Sequence, residues 1–81
     1  MPPFPNPVQN RCSMNIDNED EVKIVILISD KMGTVVKQIN KTVLAGGEEL
    51  QFDVADLKDG IYFIQIKGEN INEVQRMIIM R

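Results

Sequence analysis

The sequence predicts a small all-β fold, an antiparallel sandwich of about seven strands around one core. Three observations predict it. Apolar and polar residues alternate with a period of two, turn residues break that alternation about every ten residues, and no convincing helical stretch interrupts it. Size agrees, because surface scaling gives a chain of 81 residues roughly 60% burial, enough for one modest core.

Each strand follows from its own pattern. In "RCSMNID", Cys12, Met14 and Ile16 alternate with Arg11, Ser13, Asn15 and Asp17, which makes a half-buried strand. "VKIVILIS" puts Val22, Ile24, Ile26 and Ile28 on one face and Val25 and Leu27 on the reverse. Both faces then need some cover, as in a central strand. Asp30 starts a turn, and Gly33 takes the left-handed position that closes a short hairpin loop before a strand from Thr34 to Ile39. "KTVLA" reads as a fourth strand, separated by Gly46-Gly47 from "EELQFDV", where Leu50, Phe52 and Val54 share a face. "KGEN" divides the last two strands, 61–67 and 72–80.

Composition excludes several functions. Hydrophobic residues make up 43% and charged residues 26%, the balance of an ordinary soluble domain, and the aliphatic run Ile24 to Ile28 is far too short to span a bilayer. Met1-Pro2-Pro3 carries neither a basic nor an apolar signal region, so the chain either stays inside the cell or is a piece of something longer. The net charge of -3 arises in "DNEDE" at 17–21, which holds four of the twelve acids. The remaining eight face nine bases, which leaves no basic face of the kind nucleic-acid binding requires. One cysteine, Cys12, allows neither an internal disulfide nor a multi-cysteine zinc site. Without histidine no Ser-His-Asp or Cys-His pair can be assembled, and Ser29 beside Lys31 sits at a strand end with no sign of a pocket, so no enzyme is expected. Asp17, Glu19 and Glu21 alternate like calcium ligands, but Val22 stands at the loop-glycine position and Ile28 at the bidentate-glutamate position of an EF-hand. A solvated hairpin loop is the expectation, with no metal and no cofactor.

The most specific stretch is "LKDGIYFIQI". Leu57, Gly60 and Tyr62 precede a strand whose Ile64 and Ile66 share the tyrosine's face. In immunoglobulin-like sandwiches such a tyrosine opens a late strand, and its hydroxyl bonds back to backbone a few residues upstream. The expected architecture is therefore immunoglobulin-like, with Tyr62 in a structural corner.

Four landmarks together resemble the C-terminal sorting domains of the type IX secretion system of Bacteroidota. Phe4-Pro5-Asn6-Pro7 matches the family's opening Pro-Asn-Pro, and Leu57, Gly60 and Tyr62 match its Leu-x-x-Gly-x-Tyr. Arg76, the run Met77 to Met80, and Arg81 match its basic, aliphatic, basic ending. Asp30 and Gly33 match its central turn. The similarity runs from Phe4 to Arg81. Two departures are Gln75-Arg76, where relatives often carry lysine, and Cys12 in the first strand, which is open to oxidation only if exposed.

The resemblance implies two regions: a proline-rich leader over 1–10, stiff and extended because proline fixes φ and restrains its predecessor, and a sorting domain over 11–81. It implies a preceding passenger whose precursor carries an export signal into the periplasm. An outer-membrane translocon then recognises the folded domain, and a sortase-type cysteine peptidase cuts in the linker. The passenger reaches the surface, attached to anionic lipopolysaccharide, or is released; the domain itself does not insert into a membrane. Pro5, Asn6, Pro7, Gly60, Tyr62, Arg76 and Arg81 would carry the signal, with Asp30, Gly33 and Leu57 structural. Reversing the charge at Arg81 is expected to change stability by no more than about 0.5 kcal/mol. A fibronectin type III or related adhesive or carbohydrate-binding module is the alternative, disfavoured by three phenylalanines, one tyrosine and no tryptophan. A structural linker domain of a larger enzyme is a third reading. A stop codon after Arg81 in the parent gene favours the sorting signal, and a further domain there favours the other two. If the acidic loop is only a solvated turn, calcium leaves the melting temperature unchanged. A saturable rise would instead reveal a bound cation.

Overall fold

The computed structural model describes residues 9–69 and 71–81, so the Pro5-Asn6-Pro7 motif lies outside the described residues. Six strands form two antiparallel sheets. β1 (Arg11–Ile16) pairs with β4 (Glu48–Asp53). The larger sheet runs in the order β3 (Val35–Val43), β2 (Val22–Asp30), β5 (Gly60–Lys67), β6 (Asn72–Ile79).

The count is six rather than about seven because the segments expected as separate strands at 34–39 and 41–45 are one. No glycine or proline interrupts them, and β2 offers partners from Ile28↔Lys37 down to Val22↔Val43. Ile39 and Val43 fall on the inward face in continuous alternation, so the hairpin extends until Gly46 and Gly47. β2 is central as expected, flanked by β3 and β5. Its Val22, Ile24, Ile26 and Ile28 are buried, and Val25 and Leu27 are half-buried on the reverse.

The core is the inward face of every strand. Cys12, Met14 and Ile16 of β1 and Leu50 and Phe52 of β4 close over the aliphatic rows of β2 and β5, where Ile26 faces Ile66 and Ile28 faces Ile64 across the ladder. No polar or charged side chain is buried among the described residues. Truncating one of these isoleucines to alanine costs about 2–5 kcal/mol, since the site collapses only partly.

Two strands cannot cover four, and lysines finish the rim. Lys37 and Lys41 point inward from β3 but are only half-buried, their stems over the core and their heads turned outward. Lys37 Nζ meets Asp56 at 3.0 Å and Lys41 Nζ meets Glu48 at 3.7 Å, joining the edge of the large sheet to β4 and the loop after it. The hydrogen bond from Lys37 holds the exposed Asp56 carboxyl below its usual range. Its small contribution is present above the ordinary carboxylate pKa and is lost as pH falls through the lower folded value.

Cys12 is fully buried opposite Phe52, and burial pushes its thiol up to about 11. The reactive thiolate is therefore scarce at neutral pH. A disulfide reagent should leave the native chain unlabelled and react at a rate that tracks global unfolding in denaturant. Rapid labelling of the native chain would show that β1 opens independently of the core.

Candidate functional site

The chain crosses from the small sheet to the large one through residues 54–59, between β4 and β5. Its backbone groups leave the ladder there and need other partners. Some are local: Leu57 N–H donates to Val54 O at 3.0 Å, and Ala55 N–H to Asp53 Oδ1 at 2.8 Å. Val54 N–H reaches Asn10 O at 2.8 Å, so the loop also holds the residue that leads into β1.

Tyr62 supplies the next donor. Its ring is buried, and its hydroxyl donates to Lys58 O at 2.7 Å, four residues upstream. This is the corner that the Leu57, Gly60, Tyr62 spacing predicts. Gly60, at the start of β5, has φ 155°, a conformation that L residues rarely adopt. A Cβ there would meet only Tyr62 Cε1 at 4.0 Å, so the backbone rather than crowding requires glycine. Leu57 packs against the core from the loop.

Arg81 completes the corner from the far end of the chain. Nη2 donates to Val54 O at 2.7 Å and Nη1 to Leu57 O at 2.6 Å; Nη1 also reaches Asp59 Oδ1 at 3.2 Å, and Nε reaches Asn10 Oδ1 at 3.1 Å. The backbone N–H of Arg81 adds a bond to Asp59 Oδ2 at 3.1 Å. A planar fork with fixed donors can span two carbonyls and a carboxylate at once, and a lysine cannot. Arg81 is therefore a clasp, and the expectation of a near-neutral charge reversal there is replaced. A glutamate would remove the donor to Leu57 O, leave Val54 O with the Leu57 N–H alone, and face Asp59.

The Asp30 to Gly33 turn lies at the same end. Asp30 Oδ1 accepts from the N–H of Met32 and of Thr34 at 2.9 and 3.0 Å, and Gly33 at φ 87° donates to Asp30 O. Asp30 pairs with Tyr62 in the ladder, so turn and corner share one open cleft with Asp59 and Gly60. Arg76 stands apart. It is exposed on the outer face of β6, opposite Phe63. Asn10 and Asp59 were not legible as partners of Arg81. A polar residue beside a turn glycine signals a turn, but nothing local marks a contact across 71 or 22 positions.

The acidic stretch folds as a loop held by Asn18, whose carbonyl accepts from Gly46 N–H at 2.8 Å. Among the described residues no group of three or more histidine, cysteine, aspartate or glutamate side chains is placed to hold a metal ion.

Removing the Tyr62 hydroxyl as Tyr62→Phe should cost about 1–3 kcal/mol, because Lys58 O loses its donor, and Arg81→Met should cost a similar amount. Both changes act on one loop, so the double variant should depart from additivity. Denaturant melts of the four proteins measure this. Unchanged midpoints for both single variants would remove the clasp.

The match to known families agrees with this geometry. The family model of the secretion system C-terminal sorting domain matches residues 3–80. No curated protein matches the chain. The matched span holds the proline motif, the central turn, the tyrosine corner and β6. The chain belongs to the family of secretion system C-terminal sorting domains, the C-terminal signals of type IX secretion.

Proposed function

We propose that this domain is read in its folded form by the outer-membrane translocon, as the address of a passenger that precedes it in the same polypeptide. A single observation carries the proposal. Leu57, Gly60, Tyr62 and Arg81, landmarks from separate parts of the sequence, act on the same stretch of backbone. Landmarks that build one corner are read together only when the domain has folded. Gly60, Tyr62 and Arg81 would then contribute through the shape they fix, with Asp30, Gly33 and Leu57 supporting it. Arg76, exposed and free of that corner, is available to a partner directly.

The leader over 1–10 separates passenger from signal, and the domain over 11–81 is the signal itself. Pro5, Asn6 and Pro7 would be the part of the signal that precedes the sandwich. Among the described residues of the leader, Asn10 is held by the fold through Val54 and Arg81. A sortase-type cysteine peptidase would cut in this leader after passage through the periplasm, leaving the passenger at the cell surface or released. The domain is an address and not a catalyst.

The test fuses residues 1–81 to a soluble periplasmic reporter in a host with this secretion system. The unaltered fusion should appear outside the outer membrane, with the reporter lacking the sandwich by mass spectrometry. Tyr62→Phe and Arg81→Met should lower export in step with the loss of folded population, and Arg81→Lys should fall between them and the parent. Periplasmic retention of the unaltered fusion, while another sorting domain exports the same reporter, would sink the proposal.

A further inference from the structure

The outer face of the four-stranded sheet has no second layer over it among the described residues. Its outward positions follow from the ladder register. Phe63, 41% exposed, lies near the middle between Ser29 and Arg76. Leu27 and Val74 flank it diagonally through Gln65, and Ile61 pairs with Ile78 one row away. Ile61 and Val74 are 42% and 57% exposed, so the apolar surface is contiguous and open.

Charge on this face is one-sided. The charged residues at its outward positions are Lys23, Lys67 and Arg76, and none is acidic, although the chain as a whole carries -3. Asp30 and Glu73 belong to the same sheet but pair with Tyr62 and Ile66 at positions of the opposite face, and the other acids lie at the 17–21 loop, in the 53–59 stretch, on β4 and at Glu69 in the turn before β6. None of the three cations has a salt-bridge partner among the described residues, whereas Lys37 and Lys41 of β3 are both paired. An exposed aromatic beside an arginine, with aliphatic neighbours and no carboxylate, has the composition of an interface centre.

We propose that this face is the docking surface for a protein of the export machinery that presents an apolar patch rimmed by carboxylates. Phe63 with Leu27 and Val74 fills the patch, and Arg76 and Lys67 meet the rim. The inference rests on the sorting function proposed above. Charge selects the occupant. A second copy docked symmetrically through the same face would bring like cations together, and three cations around an apolar centre are too few to track a phosphate backbone. The face is separate from the corner, so recognition and the clasp can be changed independently.

The reporter fusion tests this with Phe63→Ala, Arg76→Glu, Lys67→Glu and the conservative Arg76→Lys, each first checked for an unchanged melting temperature. Phe63→Ala and Arg76→Glu should each reduce the exported fraction about ten-fold or more, while Arg76→Lys retains most of it. If Phe63→Ala unfolds, the two exposed charge reversals decide alone. Normal export by folded Phe63→Ala and by both charge reversals overturns the docking face and leaves the sorting function standing. Failure of the unaltered fusion, beside an exporting control domain, removes both. Two further outcomes also overturn the inference: Arg76-dependent binding of the purified chain to phosphatidylglycerol-containing vesicles, which assigns the face to lipid, and a dimer in sedimentation that Phe63→Ala abolishes, which assigns it to self-association.

Discussion

The fold depends on finding donors for the carbonyls of one connection. Residues 54–59 carry the chain from the two-stranded sheet to the four-stranded one, and Val54, Leu57 and Lys58 turn their carbonyls away from any ladder there. Leaving such groups without partners costs about 1–3 kcal/mol each where water is excluded. Leu57 N–H serves Val54 O from within the connection, and two side chains supply the other donors. Tyr62 lies just beyond the connection, where β5 begins, and Arg81 follows β6, the neighbour of β5. With those donors in place, the end of β6 is fixed, the approach to β1 is held through Asn10, and the sheets are locked at one end.

At the β3 edge the sandwich solves a different problem. A small sheet over a large one leaves an edge strand partly uncovered, and an aliphatic residue at each inward position there would expose a hydrophobic strip. Lysines at 37 and 41 give apolar stems to the core and charged heads to water, and each head finds a carboxylate. The same charges discourage pairing of the edge with another strand. The outer face of the larger sheet shows the reverse arrangement, with hydrophobics at its centre and unpaired cations around them.

Much of this was legible in the sequence. Strict alternation in β1, β2, β4 and β5 fixes both their type and their inward residues, since a pleated strand has only two faces. Turn chemistry at Asp30 and Gly33 and the Leu57, Gly60, Tyr62 spacing locate the hairpin and the corner because both act over a few residues. The boundary that failed lies inside β3, where one strand was expected to end at Ile39 and another to begin with Lys41, but β2 continues to pair beside Asn40 and Lys41. Partner length overrode local pattern. Arg81 was legible as a landmark and not as a clasp, because its acceptors lie 22 to 71 positions away. The cationic face was hidden for a related reason. Charge read along the chain averages to near balance outside the acidic loop, whereas strand pairing sorts it across the sheet.

The hold on Asn10 has a mechanical meaning. Among the described residues, tension passing through Asn10 loads two hydrogen bonds, one to Val54 and one to Arg81, ahead of β1. Behind them stands β1, whose ladder neighbour is β4 and whose first pairs are Arg11↔Asp53 and Cys12↔Phe52. The domain is thus held on that side by a strand with one ladder neighbour, and the guanidinium of Arg81 is the catch ahead of it. Peeling would bring the thiol of Cys12 to the surface at the second step, making an inert core residue the first chemical sign that the domain has been pulled open.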